Sequence, residues 1–276
     1  MRLLLRRPMT LLGVILVLLH ILAALAAPWI APYTPTSLLD APLEPPSATY
    51  WLGTDDLGRD AFSRLLWGGR VAILVAFAAG GIAVLGGTLL GLTAACRGGT
   101  FDDVLLRIVE MKLAVPTILF VAIFVTGFGQ SVPVLIAAIA IIQMMGVVRT
   151  TRAAGIVLME QGFVRAARLN GEPGVAIVLR ELLPNVADLM AVEFALRASS
   201  ALLLVSALSF LGLGISPPTP DWGLMVEDGM ALLDSEPHLV LAPAFAISSL
   251  VLGINLAAEG LAEAFGLDAA RGGGGG

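Results

Sequence analysis

The chain has 276 residues, of which 58% are hydrophobic and only 13% are charged, and its mean hydropathy of +0.93 lies far outside the range of soluble domains. Its formal net charge of −5 excludes a nucleic-acid-binding face, which needs a surplus of clustered Lys and Arg. The single cysteine, Cys96, excludes an intrachain disulfide, and its apolar neighbours favour a buried, unreactive thiol.

Six apolar segments follow one another along the chain, each about as long as a helix of roughly 20 residues that spans a bilayer. They cover residues 9–30, 70–96, 104–128, 132–148, 186–211 and 239–261. The first also resembles a cleavable signal peptide, but its apolar stretch of about 19 residues exceeds the usual signal core of roughly 7 to 15, which favours a retained helix. The sequence therefore predicts an all-α membrane protein with six transmembrane helices.

The basic residues are distributed unevenly between the loops. All but three of the sixteen lie on the side of the N-terminus, the exceptions being Arg59, Arg64 and Arg70. Because basic residues concentrate in cytoplasmic loops, both termini and the segment 149–185 are predicted to be cytoplasmic. We therefore divide the chain into residues 1–30 (N-terminus and first helix), 31–69 (external loop), 70–265 (five-helix core) and 266–276 (a disordered glycine-rich tail).

The first external loop is rich in proline and closes in a short polar motif over residues 53–60. One interpretation is a glycine-containing turn followed by a short helix that starts at Ala61. The other is a docking or gate element, together with the second external loop, 212–238, which has acidic residues and no basic one. The candidate residues of this element are Gly53, Thr54, Asp55, Gly58, Arg59, Asp60 and Trp222.

The cytoplasmic segment 149–185 is too apolar to be a linker. Its pattern predicts a helix over residues 162–170 that ends at Gly171 in a left-handed cap, and a second helix that starts near Pro173 and stops at Leu183, before Pro184. Ala166 and Ala167 would let another surface approach closely. The alternative is an amphipathic hairpin that lies on lipid headgroups.

Polar residues inside the predicted spans are few. Glu193 and Arg197, four positions apart, are interpreted as an ion pair on one helix face rather than a proton-coupling site. Three serines fall on one face of the same helix and are candidates to line a solute path, although serine also joins helices by hydrogen bonds: Ser199, Ser206 and Ser209.

The sequence offers no arrangement for catalysis. His20 and His238 lie too far apart in the predicted topology for a metal cluster or a Ser/His/Asp triad. The sole lysine, Lys112, follows Met111 rather than a glycine, so the chain has no P-loop. We expect no catalytic residue, metal site or cofactor, and any ATP and Mg²⁺ would be bound by another chain.

Three stretches carry a family resemblance. Arg165-Ala166-Ala167-Arg168-Leu169-Asn170-Gly171, with Leu183-Pro184 at the expected interval, resembles the EAA loop of ABC importer permeases. The stretches 52–60 and 208–214, with Pro217-Pro218 and Trp222-Gly223, are similar to the second permease subunit of dipeptide, oligopeptide and nickel importers. The chain departs from the family at Arg165, which replaces the glutamate of the EAA loop, at Glu181, and in a loosely matching motif near residue 260.

The resemblance implies a type I ABC importer permease fold in the cell membrane of a prokaryote. Such a subunit pairs with a homologous permease, and an external binding protein delivers the solute, here a di- or oligopeptide. Two ABC ATPase subunits bind the EAA loop, for which the matching residues are Arg165, Ala166, Ala167, Gly171, Leu183 and Pro184. The alternative function is an ion-coupled secondary transporter or channel.

Overall fold

A computed structural model of the chain describes residues 8–39 and 41–264. The basic residues at positions 2, 6 and 7, Asp40, and the predicted tail 266–276 lie outside the described residues. The helices are α1 (Pro8–Ile30), α2 (Ala61–Arg97), α3 (Gly99–Leu113), α4 (Thr117–Phe128), α5 (Val132–Met159), α6 (Gly162–Leu169), α7 (Gly174–Ala176), a π-helical turn (Ile177–Leu182), α8 (Leu183–Asn185), α9 (Ala187–Phe210), α10 (Trp222–Gly229), a 3-10 turn (Met230–Leu232) and α11 (His238–Ala264).

Five helices, α1, α2, α5, α9 and α11, are each long and apolar enough to cross a membrane. They confirm five of the six predicted spans. Two of them are longer than expected: α2 begins at Ala61, so the external loop ends at Asp60, and α5 continues to Met159. The early start of α2 has a local cause, since the Asp60 carboxylate accepts a hydrogen bond from the backbone N–H of Ser63 at 2.7 Å and caps the helix.

The predicted third span is not one straight helix. Helices α3 and α4 meet at a bend of 93°, and only the bent pair taken together gives a sixth span. Pro116 precedes α4 and disfavours helical geometry at the residue before it. Helix α3 also has more charged residues than a helix surrounded by lipid normally has. They are Asp102, Asp103, Arg107, Glu110 and Lys112.

Helix α2 lies at the centre of the bundle and packs against α5, α9 and α1, while α1 runs antiparallel to α11. We call the end that carries α6 to α8 the hairpin end, and the end that carries residues 31–60 and α10 the latch end. The first and last described residues, Pro8 and Ala264, both lie at the hairpin end.

Small residues set the distance between the packed helices. A Cβ added to Gly91 of α2 would overlap the hydroxyl of Thr151 on α5, and one added to Gly13 of α1 would lie 2.7 Å from the backbone nitrogen of Ala257 on α11. The hydrophobic core between these helices is centred on Val75, Leu135, Ile139, Leu202 and Leu250. Because α1 contacts α11 along its length, it is an integral part of the bundle.

Candidate functional site

Helix α6 ends in the left-handed cap that the sequence predicts. Gly171 has a φ of 76°, and its N–H donates to the carbonyl of Arg168 at 3.0 Å. The N–H of Glu172 donates to the carbonyl of Ala167 at 3.1 Å. These two bonds form a Schellman motif, which reverses the chain at a residue that only glycine occupies without strain.

The second arm of the hairpin differs from the prediction at its end. It does not stop before Pro184 but continues to Asn185 through the π-helical turn, in which the N–H of Leu183 donates to the carbonyl of Val178 five positions earlier. Pro184 lies in α8, so the helical arm passes through the proline instead of ending before it.

One face of the hairpin is buried against the bundle. Its apolar side chains form a cluster with Leu92 of α2 and with Val186, separate from the main core; the hairpin members are Val164, Ala167, Ile177, Val178 and Leu182. Cys96 packs at the margin of this cluster, half-buried, with its sulfur 3.8 Å from the carbonyl of Gly174. The cluster fixes the hairpin to the ends of α2 and α5.

The opposite face of the hairpin is open. Leu169 is 90% exposed and Val175 is 71% exposed. Four of the six residues matched to the EAA loop are exposed: Arg165, Ala166, Gly171 and Pro184. Leu183 is half-buried, and Ala167 packs inside the cluster, so of the two alanines expected to meet another surface only Ala166 is open to one.

At the latch end, the Asp55 carboxylate organises the polar motif of residues 53–60. Its Oδ1 accepts from the backbone N–H groups of Leu57 and Arg59, both at 2.9 Å. Its Oδ2 accepts from Arg59 Nε at 2.7 Å and from the guanidinium of Arg64. Arg64 also donates to Asp228 of α10 at 3.3 Å. We call Asp55, Arg59, Arg64 and Asp228 the latch, because they join the external loop, α2 and α10.

The proline-rich loop is tied to the same motif. The hydroxyl of Thr54 donates to the carbonyl of Ala41 at 2.9 Å and accepts from the N–H of Glu44 at 2.8 Å. Gly53 and Gly58 both have positive φ, at 67° and 74°. These torsions allow the turn that the sequence predicts.

Trp222, the first residue of α10, packs between α1 and α2. Its indole Nε1 donates to the carbonyl of Leu65 at 2.8 Å, and its ring lies against Gly69, where an added Cβ would come within 2.8 Å of it. The ring of His20 from α1 meets it edge-on with centroids 6.0 Å apart. Next to it, Gly223 touches the backbone of α9, since an added Cβ would overlap the carbonyl group of Ser206.

The residues proposed from the sequence for external docking or gating are all buried within this chain, and their role in docking or gating stays a prediction. Gly53, Thr54, Asp55, Gly58, Arg59, Asp60 and Trp222 each face the interior of the chain. Within residues 53–60, the exposed residues are Asp56 and Leu57. The motif thus holds the latch end together and does not itself present a surface.

Asp221 is the N-cap of α10 and is completely buried. Its Oδ1 accepts from the N–H groups of Gly223 at 2.9 Å and of Leu224 at 3.2 Å. Burial raises the pKa of this carboxyl above its usual value, more than these backbone hydrogen bonds lower it.

A polar cleft of ≈ 460 Å³ opens on the bundle between the bend of α3 and α4, α5 and α9. Its walls are Lys112, Leu113, Thr117, Ile142, Gln143, Gly146, Arg197, Ser200, Leu203 and Leu204. Glu193 holds Arg197 through two hydrogen bonds of 2.9 and 2.8 Å to one carboxylate oxygen, so the ion pair predicted from their spacing is present.

The three serines proposed to line a path are not in this cleft. Ser199, Ser206 and Ser209 are all buried within the chain. The cleft instead contains Ser200 of the same helix, and Gln143, which the sequence reasoning did not consider. The sequence did contain a sign of this cleft residue, because Gln143 is a polar side chain in the middle of an otherwise apolar segment.

The part of the chain that the structure describes has no group of three or more His, Cys, Asp or Glu residues that could hold a metal ion. His20 is engaged with Ser249 at 3.1 Å and with Leu16 at 2.8 Å, and His238 contacts the carbonyl of Leu52 at 3.0 Å. Both histidines therefore join elements of the bundle to one another.

Comparison with known families gives two matches. Residues 87–268 match the family described as the binding-protein-dependent transport system inner membrane component. Residues 1–46 match the N-terminal transmembrane domain of oligopeptide transport permease C.

Individual relatives agree with these matches. The chain is 37% identical over 259 residues to the di/tripeptide transport system permease protein DppC of Pseudomonas aeruginosa, covering 91% of this chain and 86% of the relative. It is 36% identical over 261 residues to the dipeptide transport system permease protein DppC of Alkalihalophilus pseudofirmus, covering 94% and 86%. It is 36% identical over 265 residues to the glutathione transport system permease protein GsiD of Escherichia coli, again covering 94% and 86%.

Proposed function

This chain belongs to the family of binding-protein-dependent transport system inner membrane components, and we propose that it forms one half of the pore of an ATP-driven importer for short peptides. The family and the apolar helices make it a multi-pass membrane protein. In the proposed complex it pairs with a homologous permease, and two ABC ATPase subunits and an external solute-binding protein complete the importer.

Short peptides are proposed as the solute because of the relatives. Their names specify dipeptides, di/tripeptides and glutathione. These solutes have in common a peptide bond and a free carboxylate. The match extends over most of both chains, so the same parts that form those permeases are present here.

The observation that carries the proposal is the two-faced hairpin of α6 to α8. Its inner face is fixed to the bundle by a buried cluster, while Leu169 on the outer face is almost fully exposed. A large exposed apolar side chain beside small and basic residues suits a protein partner. We assign that partner as the ATPase, which would bind ATP and Mg²⁺ and supply the energy through its different affinity for two states of the pore.

The orientation follows from this assignment. The hairpin and both termini would be cytoplasmic, and the latch end would face the binding protein. The distribution of the basic residues other than Lys112 and Arg197, which line the cleft, supports the same orientation independently. This chain would then act as a non-catalytic subunit, because the hydrolysis of ATP takes place on its partners.

The alternative, an ion-coupled transporter, needs a mid-membrane acid that can exchange its proton. Glu193 is the acidic residue that lies within the span formed by α9, but it is buried and accepts two hydrogen bonds from Arg197. Proton exchange there would break both hydrogen bonds. The pairing therefore favours the ATP-driven proposal.

The experiment is reconstitution of the four-part complex in proteoliposomes with the binding protein outside and ATP inside. We expect uptake of labelled dipeptide that requires both ATP and the binding protein and that persists when ion gradients are collapsed. Leu169→Asp should abolish co-purification of the ATPase subunits, whereas Leu233→Asp, which changes an exposed leucine at the latch end, should not. Uptake by this chain alone, driven by an ion gradient, would overturn the proposal.

A further inference from the structure

The polar cleft lies at mid-depth in the bundle. Arg197 is ten residues into α9, counted from Ala187. At a rise of about 1.5 Å per residue this places it roughly 15 Å along the helix, about half of a hydrocarbon layer of ~30 Å. Charged side chains at this depth are costly and usually serve a transport pathway.

Gln143 is the least satisfied polar group of the cleft. Only 6% of the residue is exposed, yet neither the nitrogen nor the oxygen of its side-chain amide has a hydrogen-bond partner among the described residues. A buried polar group without a hydrogen-bond partner destabilises the fold. The amide therefore offers its two N–H donors and its carbonyl acceptor to a ligand that has both kinds of group, as a peptide group does.

The cleft has two basic side chains but only one acidic partner for them. Arg197 is neutralised by Glu193 on the same helix. Its guanidinium lies beside Gly146 of α5, where an added Cβ would approach it to 3.2 Å, so the glycine keeps this wall open. Lys112 has no acidic partner in the residues that the structure describes. The cleft thus carries an excess positive charge beside an unpaired amide.

We propose that this cleft is a binding subsite for the carboxylate end of the transported peptide. The ammonium group of Lys112 binds the terminal carboxylate, and the Gln143 amide bonds with the adjacent peptide group. Apolar walls at Ile142, Leu203 and Leu204 receive the C-terminal side chain without selecting its identity. This inference rests on the proposed function, since it names the part of the solute that the pore recognises.

The test compares two solutes in the reconstituted complex: L-alanyl-L-alanine and its C-terminal amide, which lacks the negative charge. The variants are Lys112→Gln and Gln143→Leu. The matched control is Arg107→Gln, a basic residue on the same helix whose side chain is 81% exposed. Because the binding protein is the same in every sample, a change in the ratio of acid to amide uptake reports on the permease.

Lys112→Gln should lower uptake of the free acid about tenfold, as the loss of one charge-assisted hydrogen bond implies, and leave uptake of the amide nearly unchanged. Gln143→Leu should lower uptake of both solutes, and Arg107→Gln should lower neither. Assembly of the complex should be unaffected in all three variants.

Equal loss of acid and amide uptake in Lys112→Gln, or wild-type uptake of both, would overturn the subsite. So would loss of assembly in Lys112→Gln or Gln143→Leu, because it would assign the cleft to the contact with the second pore subunit. A wild-type complex that imports neither the dipeptide nor its amide would instead contradict the proposed function itself.

Discussion

Arg64, in the first turns of α2, donates a hydrogen bond to the carboxylate of Asp55, nine positions before it in the external loop. Their side chains are only 3% and 9% exposed. Arg59 shares the same carboxylate. Asp55 therefore bonds with two buried guanidinium groups, of which Arg64 also donates to Asp228, and the loop cannot leave α2 without uncovering them.

Asp55→Ala should destabilise the latch end strongly. Removing Asp55 leaves the buried Arg59 and Arg64 with longer contacts to Asp56 and Asp228, of 3.3 to 4.0 Å, and breaking a buried ion pair in this way typically costs about 3–5 kcal/mol. The measurement is thermal unfolding of the purified complex in detergent. Asp56→Ala is the control, because its side chain is 48% exposed and lies 3.9 Å from Arg59, and its loss should cost at most about 1 kcal/mol. Equal melting temperatures for the two variants would contradict the latch.

Asp221 should make stability depend on pH in an unusual direction. Burial raises the pKa of this carboxyl in the folded protein above its usual value of 3.8. Folding then takes up a proton in the range between the two values, so this carboxyl's contribution to stability is present at low pH and is lost as pH rises through the folded pKa.

The measurement is the melting temperature of wild type and of Asp221→Asn, which keeps the Oδ1 acceptor of the α10 cap but cannot ionise. The difference, wild type minus variant, should be largest at acidic pH, near the carboxyl's usual pKa of 3.8, and should decrease as pH rises through the raised pKa of the folded protein. A difference that is constant with pH would show that Asp221 has an ordinary pKa.

Gly223 should not tolerate a methyl group. A Cβ there would overlap the carbonyl of Ser206 on α9, and relieving such an overlap costs typically about 1–3 kcal/mol. Gly223→Ala should therefore lower the melting temperature of the complex. Gly127→Ala, at a helical glycine with nothing within 4 Å of the added carbon, should leave it unchanged or raise it slightly. Similar effects of both changes would mean that α10 does not press on α9.

Hydropathy was sufficient to find the helices but not the break in the third span. Averaged over residues 104–128, the segment is apolar enough to cross a membrane, so the charges of α3 were outweighed by the apolar residues of α4. The bend of 93° depends on Pro116 and on the polar face of α3, which are local features. A span with several charges before an internal proline should be read as two helices.

The faces of α9 show what sequence periodicity cannot decide. Both sides of this helix carry serine, since Ser199 is buried against neighbouring helices while Ser200 lines the cleft. The spacing groups residues on a face but does not say which face the other helices cover. The same limit applies to residues 53–60, whose polar character suggested exposure before Arg64 and Asp228 supplied partners.

Ala166 and Ala167 should respond differently to a charge, although they are neighbours. Ala166→Glu places the carboxylate on the exposed surface of α6 and should abolish binding of the ATPase subunits without changing the melting temperature of the permease pair. Ala167→Glu puts the carboxylate into the buried cluster around Leu92 and should destabilise the permease pair itself. Normal ATPase binding by Ala166→Glu would remove this surface from the coupling contact.

The orientation of the bundle can be tested with single cysteines. In a Cys96→Ser background, Leu233→Cys at the latch end and Leu169→Cys at the hairpin end each introduce one exposed thiol. If the latch end is external, a membrane-impermeant maleimide should label Leu233→Cys in intact spheroplasts and label Leu169→Cys only after the membrane is opened. The reverse pattern would place the hairpin outside, where no cytoplasmic ATPase reaches it, and would contradict both the orientation and the coupling role of Leu169.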